Sequence, residues 1–112
     1  MVSDLSQKHC ESCEGIGKAL TIEQATQLKT QLNEKWAVSE NGKEIKRSFS
    51  FTNFYETMAF VNALAWIANV ENHHPDLEVG YNYCHVLFTT HALDGLSHND
   101  FICAAKIDAL LI

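Results

Sequence analysis

The run from Phe54 to His91 reads FYETMAFVNALAWIANVENHHPDLEVGYNYCHVLFTTH. Its periodicity changes once, and that change sets the architecture. Asn53 followed by Glu56 is a helix N-cap with an acidic residue at the third position. From Phe54 to Val70 apolar residues fall on most sides of a helix: Phe54, Met58, Phe60, Val61, Leu64, Trp66 and Ile67. Such a helix crosses the middle of a domain or lends a face to a subunit interface. Pro75, the only proline, biases His74 away from helical dihedrals, so the helix should end at or before His73-His74. Beyond it the period is two. Leu77–Tyr81 predicts one strand and Cys84–Thr90 another, turning near Asn82. Val86 and Phe88 then share one face, and His85, Leu87, Thr89 and His91 the other.

Upstream of this run stands a second hairpin. Trp36-Ala37-Val38 has strand character, and Trp36 is expected to pack rather than bind. Asn41-Gly42 is a strong turn signal, with positive φ expected at both residues. Residues 43–51 alternate Ile45, Arg47, Phe49 and Phe51 against Lys46, Ser48 and Ser50. Before it, Thr21 with Gln24 forms a capping box, and Ala25, Leu28 and Leu32 continue a helix to about Glu34. At the other end, Ser97 with Asp100 forms another capping box. Leu96 with Phe101 fits a hydrophobic staple, and Ile102, Ala105, Ile107, Leu110 and Leu111 carry the last helix. The predicted order is α-β-β-α-β-β-α. That is an α+β fold: a four-stranded antiparallel sheet with three helices packed on one face.

At 112 residues the chain fits one domain, expected over residues 20–112, preceded by an extension over 1–19. The extension is polar and holds Cys10-x-x-Cys13; it is expected to be an unstructured tail with incidental cysteines. The pair is half a zinc site, which His9 with His98 or Cys103 could complete only if the fold brought them near. A net charge of −6 without a basic block argues against nucleic acid and anionic membranes. No signal-peptide core or membrane-length apolar run is present, which predicts a cytoplasmic protein.

His73, His74 and His91 are the candidate chemistry. A strand of about seven residues spans roughly 23 Å, so two equal arms return His91 to the neighbourhood of His73. Imidazole donates and accepts protons near neutral pH, which suits general acid–base catalysis. A histidine metal site with help from Glu71, Asp76 and Glu78 is the alternative use, although adjacent histidines tend to point apart.

Glu71-Asn72-His73-His74-Pro75-Asp76, Tyr81-Asn82, Thr89-Thr90-His91 and Gly95-Leu96-Ser97-His98-Asn99-Asp100 together resemble the signature of the pterin-4a-carbinolamine dehydratase family. The resemblance runs from about Thr21 to the C-terminus, and the His9-Cys10-x-x-Cys13 extension resembles that of bacterial members associated with phenylalanine hydroxylase. It implies dehydration of 4a-hydroxytetrahydropterin to quinonoid dihydropterin, which recycles the tetrahydrobiopterin-type cofactor of aromatic amino acid hydroxylases. The pterin is then a substrate, and no metal or other cofactor is implied. His73 and His91 would be the acid–base pair and His74 would orient the pterin. Asn72, Thr89, Thr90 and Ala92 would line the substrate pocket. Asn69, Asn72 and Ala92 stand where many or animal members carry acidic residues, departures that fall on ring contacts rather than on the histidines. Asp100 matches a late aspartate of the family but reads first as a helix cap. The resemblance also implies a homodimer or homotetramer and a functional link to phenylalanine hydroxylase. A non-enzymatic alternative follows from it too: a dimerisation partner or transcriptional coactivator working through helix surfaces.

Overall fold

The computed structural model describes residues 4–12 and 17–111, so Cys13 and Gly15-Ile16 lie outside the described residues. Three helices, α1 (Ile22–Lys29), α2 (Phe54–Glu71) and α3 (His98–Ala109), accompany four strands, β1 (Ala37–Val38), β2 (Ile45–Ser50), β3 (Asp76–Val79) and β4 (Tyr83–Phe88). The sheet order is β1-β2-β4-β3 and every pairing is antiparallel. Each expected hairpin forms, and β2 and β4 join them along their full length, Ile45 opposite Phe88 and Ser50 opposite Tyr83. Alternation then puts Ile45, Phe49, Cys84, Val86 and Phe88 in the core, where Phe60 and Leu64 of α2 and the inner face of α3 cover them. The described helices include none long and apolar enough to cross a membrane.

The local signals behave as their chemistry demands. Thr21 and Gln24 make the reciprocal capping bonds of α1. Asn53 caps α2 by accepting the Glu56 N–H at 2.9 Å. Residue Asn72, rather than Pro75, stops α2: it adopts the left-handed conformation at φ 53°, the His73 N–H reaches back to Ala68 O, and the Asn72 N–H reaches Asn69 O. These are the paired bonds of a Schellman motif.

Several details differ from expectation, among them the strand limits: β2 covers Ile45–Ser50 rather than 43–51, and β3 Asp76–Val79 rather than Leu77–Tyr81. Helix α1 ends at Lys29, not near Glu34, and residues 30–33 continue as tight turns. The cause is Asp108 at the far end of the chain, whose carboxylate accepts from Asn33 N at 2.9 Å and Trp36 Nε1 at 2.8 Å and redirects the backbone. At Asn41-Gly42 only Gly42 has positive φ, because Ser39 closes the turn by accepting the Gly42 N–H. Strand β4 ends at Phe88, so His91 does not extend it but opens a 3-10 turn, His91–Leu93. Thr90 instead bridges Gly95 across that turn.

The N-terminal segment is not a free tail in its described part. Leu5 is buried in the core, and Lys106 donates to Ser6 O at 2.9 Å. Asn99 grips Glu11 at both ends, accepting its N–H at 3.1 Å and donating to its carbonyl at 2.7 Å. The partners lie nearly 90 residues away in sequence, so no local pattern announces them.

Trp36 packs, as expected, against Phe49 and Phe88. Its indole N–H shares the Asp108 Oδ1 atom with Arg47, 2.7 Å away. Removing Asp108 orphans a buried donor and a largely buried guanidinium together. Asp108→Ala should therefore cost about 3 kcal/mol, read as a lower urea midpoint with unchanged slope; a loss below about 0.5 kcal/mol would show that this carboxylate does not hold the first hairpin to α3.

Candidate active site

Three chain segments meet at one corner: the exit of α2, the exit of β4 and the start of α3. The Schellman turn delivers His73 into it. His73 is 9% exposed, and its ring lies parallel to Phe88 at 5.9 Å. Its Nε2 meets Asp100 Oδ1 at 2.6 Å. Asp100 is fully buried, and its other oxygen accepts from Thr90 Oγ1 at 2.8 Å and from the Ser97 N–H at 3.0 Å. Thr90 and Ser97 hydroxyls are themselves 2.8 Å apart. Three donors thus converge on one carboxylate, which sits in the first turn of α3, where the helix dipole favours negative charge.

A carboxylate only accepts hydrogen bonds, so His73 donates from Nε2, and in the neutral ring Nδ1 is then the nitrogen with the free lone pair. Phe88 fixes the ring plane and Asp100 fixes its rotation. The Cys103 thiol adds a contact to the His73 carbonyl at 3.7 Å.

The remaining candidates are distributed around this pair. His74 follows His73 and is exposed. His91 follows the buried Thr90 and is exposed, as is Ala92 beside it in the 3-10 turn. Thr89 is half-buried and spends its hydroxyl on Lys43 O at 2.7 Å and Gly95 O. Asn72 is the left-handed helix cap itself. Thr90 is buried and touches the corner through Asp100 rather than through open surface. Among the described residues no group of three or more His, Cys, Asp or Glu side chains is arranged to hold a metal ion. An open groove of about 350 Å³ lies elsewhere, along Ile22, Glu23, Thr26, Gln27 and Thr30 of α1 and its C-cap, and contains no histidine.

Two residues of this corner, both within the motifs read from the sequence, have partners that the sequence does not reveal. Asp100 carries a capping signal that accounts for only one of its oxygens; nothing local reveals that the other faces His73, 27 residues back. Glu71 is the second. Its buried carboxylate takes the Cys10 N–H at 2.7 Å and His9 Nδ1 at 2.8 Å, with Lys106 Nζ at 3.8 Å. Burial alone would raise this carboxyl, but the Cys10 N–H, the His9 ring and Lys106 outweigh it and hold it below the usual carboxylate value.

The comparisons with known proteins agree with this architecture. The sequence model of the family described as pterin 4 alpha carbinolamine dehydratase matches residues 18–110. A Legionella pneumophila (strain Lens) protein provisionally named pterin-4-alpha-carbinolamine dehydratase is 76% identical over 112 residues, covering 100% of this chain and 99% of its own. One of the same provisional name from Nitrosomonas eutropha is 54% identical, covering 99% and 96%. Among solved structures, a transcriptional coactivator/pterin dehydratase from Brucella melitensis superposes with a TM-score of 0.78 at 28% identity, over 83% of this chain and 98% of its own. A pterin dehydratase-like RuBisCO assembly factor of the alpha-carboxysome shares the fold, with a TM-score of 0.60 at 24% identity over 70% and 90%. The family match over residues 18–110, with relatives of high identity along the whole chain, shows that this chain belongs to the pterin-4a-carbinolamine dehydratase family.

Proposed function

We propose that this protein dehydrates 4a-hydroxytetrahydropterin to quinonoid dihydropterin by histidine acid–base chemistry, and so recycles the pterin cofactor of aromatic amino acid hydroxylases such as phenylalanine hydroxylase. The observation that carries this reading is the His73–Asp100 pair. It presents an imidazole locked in plane and tautomer at the rim where His74 and the His91 turn also emerge.

The reaction removes the N5 proton and the 4a hydroxyl as one water and leaves a C=N bond; no electrons are gained or lost, so it calls for an acid and a base and no redox partner. His73, with Nδ1 unprotonated, and the exposed His91 are the pair we assign to those two proton transfers. His74 orients the ring, with Asn72, Thr89 and Ala92 beside it, and Thr90 acts by holding Asp100. A cytoplasmic location is part of this proposal, in keeping with described helices none of which is long and apolar enough to cross a membrane.

A second feature bears on partners. Along α2 the residues Tyr55, Trp66 and Val70 are 86%, 68% and 56% exposed. An apolar stripe of this kind suits association with a second copy, as a homodimer or homotetramer. It is also the surface that a coactivator-type role would use.

His73→Ala and His91→Ala should each lower kcat for dehydration by roughly 10²–10⁴, followed as loss of the 4a-hydroxypterin absorbance; undiminished rates in both variants would sink the catalytic assignment. Asp100→Asn keeps the shape but not the acceptor-only character, so the His73 tautomer is no longer dictated. It should lower kcat by on the order of 10²–10⁴ with KM nearly constant, and nitrogen NMR of the His73 ring should show mixed tautomers; a normal rate with a single Nε2–H tautomer would refute the positioning role. Sedimentation at micromolar concentration should show a dimer or larger, and Trp66→Glu should shift it to monomer; a monomeric parent protein would remove the case for self-association.

A further inference from the structure

Two cysteines that the proposed dehydration does not use meet under the corner that holds His73. Cys10 Sγ lies 3.5 Å from Cys103 Sγ, although 93 residues separate them. Both are free thiols, Cys103 fully buried in α3 and Cys10 half-buried in the N-terminal segment. Cys10 also faces Asn99 O at 3.6 Å, and Cys103 faces His73 O at 3.7 Å. From the geometry we infer that Cys10 and Cys103 are an oxidisable pair, whose disulfide staples the N-terminal segment to α3 beneath His73.

Three features support the inference. The sulfurs are already in contact, so the bond of about 2.05 Å needs a further approach of only about 1.5 Å. Cys10 lies in a non-helical stretch that can supply that movement, while Cys103 is fixed in its helix. The flanking contacts already hold the two chains in register: Glu71 takes the Cys10 N–H, and Asn99 takes both ends of Glu11. The thiol of Cys103 is pushed up by its hydrogen bond with Cys10, by burial, and by the negative charges of Glu71 and Asp100. Cys10, nearer to solvent, is therefore the first to react.

The chemistry balances with a low-molecular-weight disulfide as oxidant. The Cys10 thiolate attacks one sulfur of oxidised glutathione, breaking its S–S bond and releasing one glutathione thiol. Cys103 then gives up its proton and attacks the Cys10 sulfur, releasing the second. Two protein thiols become one disulfide, and one glutathione disulfide becomes two thiols. The oxidised pair has no S–H, so the contact from Cys103 to the His73 carbonyl is lost on closure.

The test uses the full chain with oxidised glutathione, followed by alkylation, digestion and mass mapping. We expect a Cys10–Cys103 linked peptide and a thermal midpoint raised by on the order of 10 °C, both reversed by dithiothreitol. Cys10→Ser and Cys103→Ser should each abolish the linked peptide, while Cys13→Ser should leave it intact. A Cys10–Cys13 link as the main product would overturn the proposal. So would a stable glutathione adduct on Cys10 alone, or a Cys103 that remains fully alkylatable once the oxidised protein is denatured.

Discussion

The buried carboxylate of Asp100 is the point on which the molecule turns. It has no contact with solvent, and it takes hydrogen bonds from His73, Thr90 and the Ser97 backbone. Those donors come from three different places: the exit of α2, the exit of β4, and the start of α3. Without the acceptor, the buried His73 Nε2 and Ser97 N–H would be left unpaired, at a cost of roughly 1–3 kcal/mol apiece, and Thr90 would keep only the Ser97 hydroxyl. One group therefore closes the tertiary structure and sets the orientation of an imidazole. In this corner, stability and chemistry cannot be separated into different residues.

A second buried carboxylate, Glu71, acts from the other side. It binds the N-terminal segment through Cys10 and His9, and it is the last residue of α2, two positions before His73. Behind both runs a line of rings: Trp36 on Phe88, and Phe88 on His73. The ring of His73 thus rests on the core of the sheet, while its hydrogen bond goes to α3. An active imidazole with several exposed rotamers would lose entropy each time it had to be positioned. Here that ordering is completed on folding.

Much of this was legible in the sequence, because periodicity and capping are local. Thr21, Asn53 and Ser97 mark helix starts, and alternation from Ile45 to Phe49 and from Cys84 to Phe88 marks the inner sheet face. What could not be read depends on groups far apart in the chain. Asp108 ends α1 from 75 residues away. Asn99 and Glu71 order the N-terminal segment from a distance of 61 to 88 residues. Asp100 read first as a helix cap, which accounts for one oxygen and left the other, facing His73, without a local signal. His91 belonged to the predicted strand by alternation alone, but the Thr90–Gly95 bridge diverts the chain before that alternation reaches it.

The left-handed turn at Asn72 gives α2 a further property. His73 is tied through its own N–H to Ala68 of the last turn, so the helix and the imidazole rotate as one body. At 3.6 residues per turn, one inserted or deleted residue within the helix swings everything beyond it by about 100° and shifts it by about 1.5 Å. The ring would leave both Phe88 and Asp100 together. The 18-residue helix is thus a gauge whose length is counted in whole residues from Asn53. Evolutionary drift in this protein can change the side chains along that gauge far more freely than it can change their number.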